Sequence, residues 1–189
     1  MSELDPRQVR TRAALHDAIL VLAASTPTRS ISMAALAREA GVNRSTVYQH
    51  YRSPAALLAS VLLGELDVLR HTLLADRGPA EGSQRRVIFG VLEHLERHRC
   101  IYLRELTDPA SELPAMLREH FEVSSRSLMQ TSIPMPSKDP TTAAFLQACA
   151  PTWIAAASVA AMTAWLAQDE RDPEAYFQAH RLLRPAWWP

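Results

Sequence analysis

The sequence predicts an all-α protein of about nine helices, on three observations. It carries a helix–glycine turn–helix pattern at residues 32–51. Its five glycines among 189 residues go with a high alanine and leucine content. No segment sustains the period-2 alternation of a strand between turn signals. The division expected is an N-terminal three-helix unit, residues 1–53, followed by a helical unit, residues 54–189.

The first helix starts at Asp5-Pro6-Arg7-Gln8, which supplies an N-cap, a proline at the first helical position and a capping-box partner. Its apolar face is Leu15, Ile19, Leu22 and Ala23. Pro27–Ser30 is a loop. Met33, Leu36, Ala37 and Ala40 then fall at i, i+3, i+4 and i+7 and share a face. Ser32 is the N-cap, because its hydroxyl can accept an orphan N–H of the first turn. Gly41 stands where a helix end calls for a left-handed residue. Asn43 is the next N-cap. Val47 and Tyr51 turn inward, leaving Arg44, Ser45, Tyr48 and Gln49 outward. A turn this short between two short helices is a helix-turn-helix.

The outward groups suit DNA. A recognition helix puts its N-terminal residues near base edges in the major groove. Here those are Arg44, Ser45 and Thr46, and a guanidinium can pair with guanine through two hydrogen bonds. Ser45, Thr46, Tyr48 and His50 offer neutral donors that fix register on phosphates. The plain alternative for each residue taken singly is a solvated surface side chain. The turn and both caps favour the DNA reading for the ensemble.

Ala40-Gly41-Val42-Asn43 followed by Thr46-Val47-Tyr48-Gln49-His50-Tyr51 resembles the TetR family of transcriptional regulators. The resemblance covers about residues 8–66. It implies that Ser32, Thr46, Tyr48 and His50 touch phosphates while Arg44, Ser45 and Tyr48 face bases, with Asn43 at the same edge. Two positions depart from the family pattern. Pro54 replaces a common lysine, leaving Arg52 as the substitute phosphate contact, and Ala35 replaces a common acid.

Charge supports this modestly. The formal net charge is zero, yet residues 1–53 hold seven arginines against four acids. Such asymmetry accompanies nucleic-acid binding. Arg7, Arg10 and Arg12 can add salt-dependent affinity. Near-zero overall charge argues against a sequence-independent architectural binder.

Further helices are expected over about 54–76 (Leu57, Val61 and Val68 inward), 82–99 (Ile88, Val91, Leu92 and Leu95 inward), 101–106 and 112–129. Gly78-Pro79 breaks the first of these. Thr131–Pro140, with three prolines, is a loop. The eighth helix, 141–167, is expected to be interrupted at Pro151, and the ninth follows the Asp172-Pro173-Glu174 cap and ends before Pro185. From Pro140 to Gln168 there is no charged side chain. A membrane span is the alternative, since a span needs roughly 20 apolar residues. Six hydroxyl or amide side chains, the proline and the dependence on alanine argue against it. A helix apolar all round is buried, or faces a core on one side and a partner on the other. Its small residues allow a second helix to approach closely.

By resemblance, this helix and the last one form a four-helix dimer interface, with Ala157, Ala161, Trp165 and Phe177 as its candidate residues. Two copies would read a pseudo-palindromic operator. The resemblance also implies a small-molecule effector in the C-terminal unit. By residue type the candidate lining is Phe89, Tyr102, Met116, Phe121, Met129, Trp153 and Met162, with His120, Gln147 or Thr152 for polar orientation. Such a lining predicts a hydrophobic effector, although the same residues also suit plain core. The expected protein is a ligand-responsive, DNA-binding repressor. The alternative is a helical enzyme or ligand-binding protein with an incidental helix-turn-helix.

No P-loop, Gly-x-Gly-x-x-Gly, Gly-x-Ser-x-Gly or His-Glu-x-x-His pattern occurs, so no enzymatic activity and no cofactor are expected. His94 and His98, four apart beside Glu93, have helical zinc spacing. No third ligand is fixed by the sequence, so a solvated face is expected and no metal. Without an N-terminal signal or CxxC spacing, the chain is expected to be cytoplasmic, with Cys100 and Cys149 as small buried hydrophobes.

Overall fold

The structure is a computed structural model of the chain. It describes residues 6–75, 80–131 and 133–188. The side chains at 73–75, 80, 81, 83 and 131 also fall outside the description. The Asp5 cap and the Gly78-Pro79 break therefore lie outside the described residues.

The described elements are helical: α1 (Pro6–Ser25), a single 3-10 turn (Thr28–Ser30), α2 (Met33–Glu39), α3 (Arg44–His50), α4 (Pro54–Ala75), α5 (Ala80–Arg97), α6 (Arg99–Thr107), α7 (Leu113–Thr131), α8 (Pro140–Leu166) and α9 (Pro173–Leu183). The fold class is the expected one. Compactness divides the chain elsewhere than at 53/54. One unit comprises Met1–Glu65 and His98–Leu113, the other Leu66–Arg97 and Pro114–Pro189. The reason is physical: α4 runs uninterrupted past residue 65, and α6 packs on α1.

In the first unit, Leu15, Ala18 and Ile19 of α1 are buried with Met33, Leu36 and Ala37 of α2, Val47 of α3, and Leu57, Leu58 and Leu62 of α4. The i, i+3, i+4 faces read from the sequence are the faces buried. Ser32 caps α2 as expected, its Oγ accepting from Ala35 N at 3.0 Å. Ser53 caps α4, accepting from Ala56 N at 3.1 Å.

Polar bonds tie α6 to the segment between α1 and α2. Glu105 is buried, and its Oε1 accepts from Thr28 N (2.8 Å) and Thr28 Oγ1 (2.7 Å). Its Oε2 accepts from Ser111 Oγ at 2.5 Å. Arg104 donates to the carbonyls of Ala23 (2.7 Å) and Ala24 (3.2 Å), which have no partner inside α1 because the helix ends there. Arg29 pairs with Asp108 at 2.8 Å. Tyr102 is fully buried beside them, and desolvation, helped by the Glu65 carboxylate, pushes its phenol well above the ordinary range.

In the second unit, Leu92 and Leu95 of α5, Leu117 of α7, Ala155, Val159 and Leu166 of α8 and Phe177 of α9 are buried. A smaller cluster gathers Met129, Ile133, Ala150 and Trp188, with Leu128, Met135, Ile154 and Trp187 against it. Arg85 of α5 reaches α9: it lies 4.1 Å from the Phe89 ring centroid and pairs with Glu174 at 2.6 Å. Arg171 holds both carboxylate oxygens of Glu96. Asp139 and Asp172 cap α8 and α9.

Several expectations are corrected. α8 is not interrupted at Pro151, because helix continues on both sides of the ring. Proline removes one N–H, and packing of the buried Ala150 and Pro151 holds the helix across the gap. Val68 is 67% exposed rather than inward. Ile88 and Val91 are only half-buried. Cys100 is exposed and Cys149 half-buried, so neither is a core thiol. Residues 130 and 131 belong to α7 rather than to the following loop. By length and composition alone α8 is apolar enough to cross a membrane, a test that the core helix of a soluble protein also passes.

The buried carboxylate gives a direct test. Glu105→Ala leaves Thr28 N–H and hydroxyl in the core without an acceptor. We expect a loss of about 2–4 kcal/mol of unfolding free energy by urea titration, and a smaller loss for Glu105→Gln, which keeps an acceptor oxygen.

Candidate nucleic-acid interface

The α2–α3 corner is set by one residue. Gly41 has φ +65°, the left-handed region, and no other described residue has positive φ. An L side chain there would meet nothing within 4 Å, so the backbone torsion is what demands glycine. The turn is closed by Gly41 N–H to Arg38 O (3.3 Å) and Val42 N–H to Ala37 O (3.0 Å). Val42 is half-buried between the helices.

α3 then starts at Arg44. Asn43 occupies the N-cap position with extended backbone, but its side chain makes no capping bond, which corrects the sequence reading. The first turn is held by backbone alone, with Thr46 N and Val47 N donating to Asn43 O. The Asn43 amide is thus left at the exposed edge. Val47 is fully buried and anchors the helix. Ser32, Asn43, Arg44, Ser45, Tyr48 and Arg52 are exposed, while Thr46 and His50 are half-buried. These eight positions therefore belong to one unit, along the α2 N-terminus, the turn, α3 and the residues after it. Ser32 spends its hydroxyl on its own helix through the cap.

Two side-chain contacts order this region. Arg44 Nη2 donates to Tyr48 Oη at 3.1 Å, and its guanidinium lies 5.5 Å from the Tyr48 ring centroid. The bond raises the Arg44 pKa further above its ordinary value. At the far end of α3, the Tyr51 hydroxyl and His16 Nε2 of α1 are 2.9 Å apart. That bolts the C-terminus of α3 to the first helix. Burial, then the nearby Arg12, lowers the His16 pKa, so its imidazole favours the neutral form.

Residues 15–61 match the family model described as bacterial regulatory proteins, tetR family. The match covers the N-terminal, helix-turn-helix part of the chain and leaves the rest of it unmatched. Among curated proteins no sequence matches it. Solved structures share its fold. The fatty acid degradation regulator FadR of Bacillus halodurans aligns with TM-score 0.63 at 14% identity, covering 96% of each chain. FadR of Thermus thermophilus, a repressor solved with lauroyl-CoA, aligns with TM-score 0.59 at 18% identity, covering 94% of this chain and 98% of that one. The repressor AlkX of a Dietzia species, implicated in n-alkane biodegradation, aligns with TM-score 0.55 at 19% identity, covering 96% and 95%. The α2–α3 helix-turn-helix lies inside the matched segment, the DNA-binding part of such regulators.

The other candidate residues fall in both units. Tyr102 lies in the first unit, whereas Phe89, Met116, His120, Phe121, Gln147 and Trp153 lie in the second. Phe89 stands edge-on to Phe177, His120 faces the Phe121 ring and lies 3.3 Å from Asp67. Gln147 lines a groove of about 430 Å³ between α7 and α8 with Arg126, Met129, Gln130 and Pro151. Trp153, Ala157, Ala161 and Trp165 line a groove of about 450 Å³ between α8 and α9. Trp165 is buried edge-on to Tyr176, whose hydroxyl pKa is pushed up to about 12 by burial. Phe177 is buried inside the unit. Met116, Phe121, His120 and Phe89 line neither groove. Sequence reasoning missed Tyr176, His180, Leu183 and Trp188, which also line the α8–α9 groove. The strong amphipathicity of α9 was the available signal.

The lowered His16 pKa fixes a sign. The folded chain binds that proton less tightly than the unfolded chain, whose histidine titrates near 6.5. The stabilising contribution is complete above that pH and is lost as pH falls below it. We expect the thermal midpoint to fall between pH 7 and 5, and the fall to be smaller in His16→Gln, measured by circular dichroism.

Proposed function

We propose that this chain is a regulator of the TetR family, a ligand-responsive repressor that covers a pseudo-palindromic operator as a homodimer and is released by a small hydrophobic effector. The observation that carries the reading is the α2–α3 corner: a glycine-set turn, a buried Val47 anchor and a polar outer edge. Arg44 and Ser45 supply base contacts with Tyr48 beside them, while Ser32, Asn43, Thr46, Tyr48, His50 and Arg52 serve phosphates. Arg52 follows α3 directly and takes the place of the lysine that Pro54 lacks.

One recognition helix reads only a few base pairs, so a second copy is required for specificity. The α8–α9 face supports that partner. α8 carries no charge, leaves Phe145 and Trp153 exposed, and meets α9 along an alanine-lined groove. Leu182 and Leu183 of α9 are also exposed. A large exposed apolar surface on a charged protein marks an association site. Ala157 and Ala161 form its contact surface, and Trp165 and Phe177 brace it from inside. The effector reading rests on the apolar side chains of the second unit, Phe89, Met116, Phe121 and Met129 among them. The lauroyl-CoA held by the Thermus protein is an amphiphile of the kind such a lining accepts. As a regulator the protein acts in the cytoplasm, without catalysis.

Two measurements test this. In a gel shift at fixed salt, Arg44→Ala should lose about 1–3 kcal/mol of discrimination between cognate and mutated operator; unchanged discrimination would remove Arg44 from the reading surface. Light scattering at micromolar concentration should give a dimer, and Ala161→Glu, which places a charge in the α8–α9 groove, should give a monomer with weakened operator binding.

A further inference from the structure

Arg44 and Tyr48 stand one turn apart on α3, so their side chains are neighbours on the helix surface. Arg44 Nη2 donates to the Tyr48 hydroxyl at 3.1 Å, and the guanidinium lies 5.5 Å from the ring centroid. Both side chains are exposed, and no other protein group holds either one among the bonds described. The contact therefore does nothing for the core; it orders a long cation on the outer edge of the helix.

We propose that Tyr48 is a positioning residue for base readout: its hydroxyl holds the Arg44 guanidinium in one pose, and so sets the specificity of the base pair that Arg44 reads. This rests on the DNA-reading role of α3 given above. The chemistry is self-consistent. A phenol oxygen that accepts from a guanidinium keeps its own proton. That proton remains free to donate to a phosphate oxygen, so one hydroxyl serves the backbone and the base-reading arginine together. Arginine has five donors in a planar fork, and using one Nη2 hydrogen on tyrosine leaves others for guanine O6 and N7. An arginine restricted before binding loses less side-chain entropy on binding. Lateral support also penalises poses in which the fork turns toward a wrong base. As a phosphate contact alone, Tyr48 would contribute equally to every sequence.

The test uses full-length protein and operators selected from a random DNA library. Wild type, Arg44→Ala, Tyr48→Phe and the double variant are compared on every single-base change of the selected site, at constant salt. We expect Tyr48→Phe to reduce discrimination by about 2- to 10-fold at the base pair where Arg44→Ala also reduces it, and nowhere else. In the double variant the base preference there should be no flatter than with Arg44→Ala alone. In the DNA-free protein, nitrogen-15 relaxation of the Arg44 side chain should show greater mobility in Tyr48→Phe. A uniform loss across all operator variants, with the Arg44 base preference intact, overturns the inference while leaving the repressor reading standing. A wild-type protein that selects no sequence overturns both.

Discussion

The carboxylate of Glu105 is the constraint on which the DNA-reading unit depends. Two α1–α2 donors and one α6–α7 donor converge on a group taken out of water. A buried charge persists only when it is fully satisfied, so these three donors are held in place by the need of that one anion. Arg104 satisfies carbonyls at the C-terminal end of α1, and Arg29 with Asp108 adds an exposed ion pair. The result is that α6, which the chain enters from the second unit and leaves into it, is structurally part of the unit that carries α2 and α3. A displacement of α6 cannot be absorbed at Thr28 without breaking buried bonds.

The recognition edge is built on the opposite economy. Its polar side chains are exposed, its N-cap asparagine is unspent, and only Val47 is sunk into the core. Position is supplied from behind, by Val47, by the Gly41 corner and by the bond between Tyr51 and His16. The exposed polar groups of this edge leave its position to others, apart from Ser32, whose cap also starts α2.

Much of the first unit was legible from residue spacing because its signals are local. The Met33, Leu36, Ala37 face, the Ser32 cap and the Gly41 turn each depend on residues within one helical turn. What was not legible depends on contacts distant in sequence. The Glu105–Thr28 pairing spans 77 residues and leaves no local pattern. It is one of the contacts that hold His98–Leu113 in the first unit. Val68 follows the helical period but faces out, since period says which residues share a face and not whether anything covers it. Pro151 reads as a break, yet neighbouring packing carries α8 through it. Tyr176 was missed in the α8–α9 groove because an aromatic residue on an amphipathic helix reads first as core, and Trp188 because it follows the last helix and carries no helical period.

Gly41 carries a last consequence. A Cβ there would meet nothing within 4 Å, so the position excludes other residues by handedness and not by crowding. The angle between the helix that packs and the helix that reads is written in one dihedral of one achiral residue. It does not depend on a close-packed neighbour at that Cα.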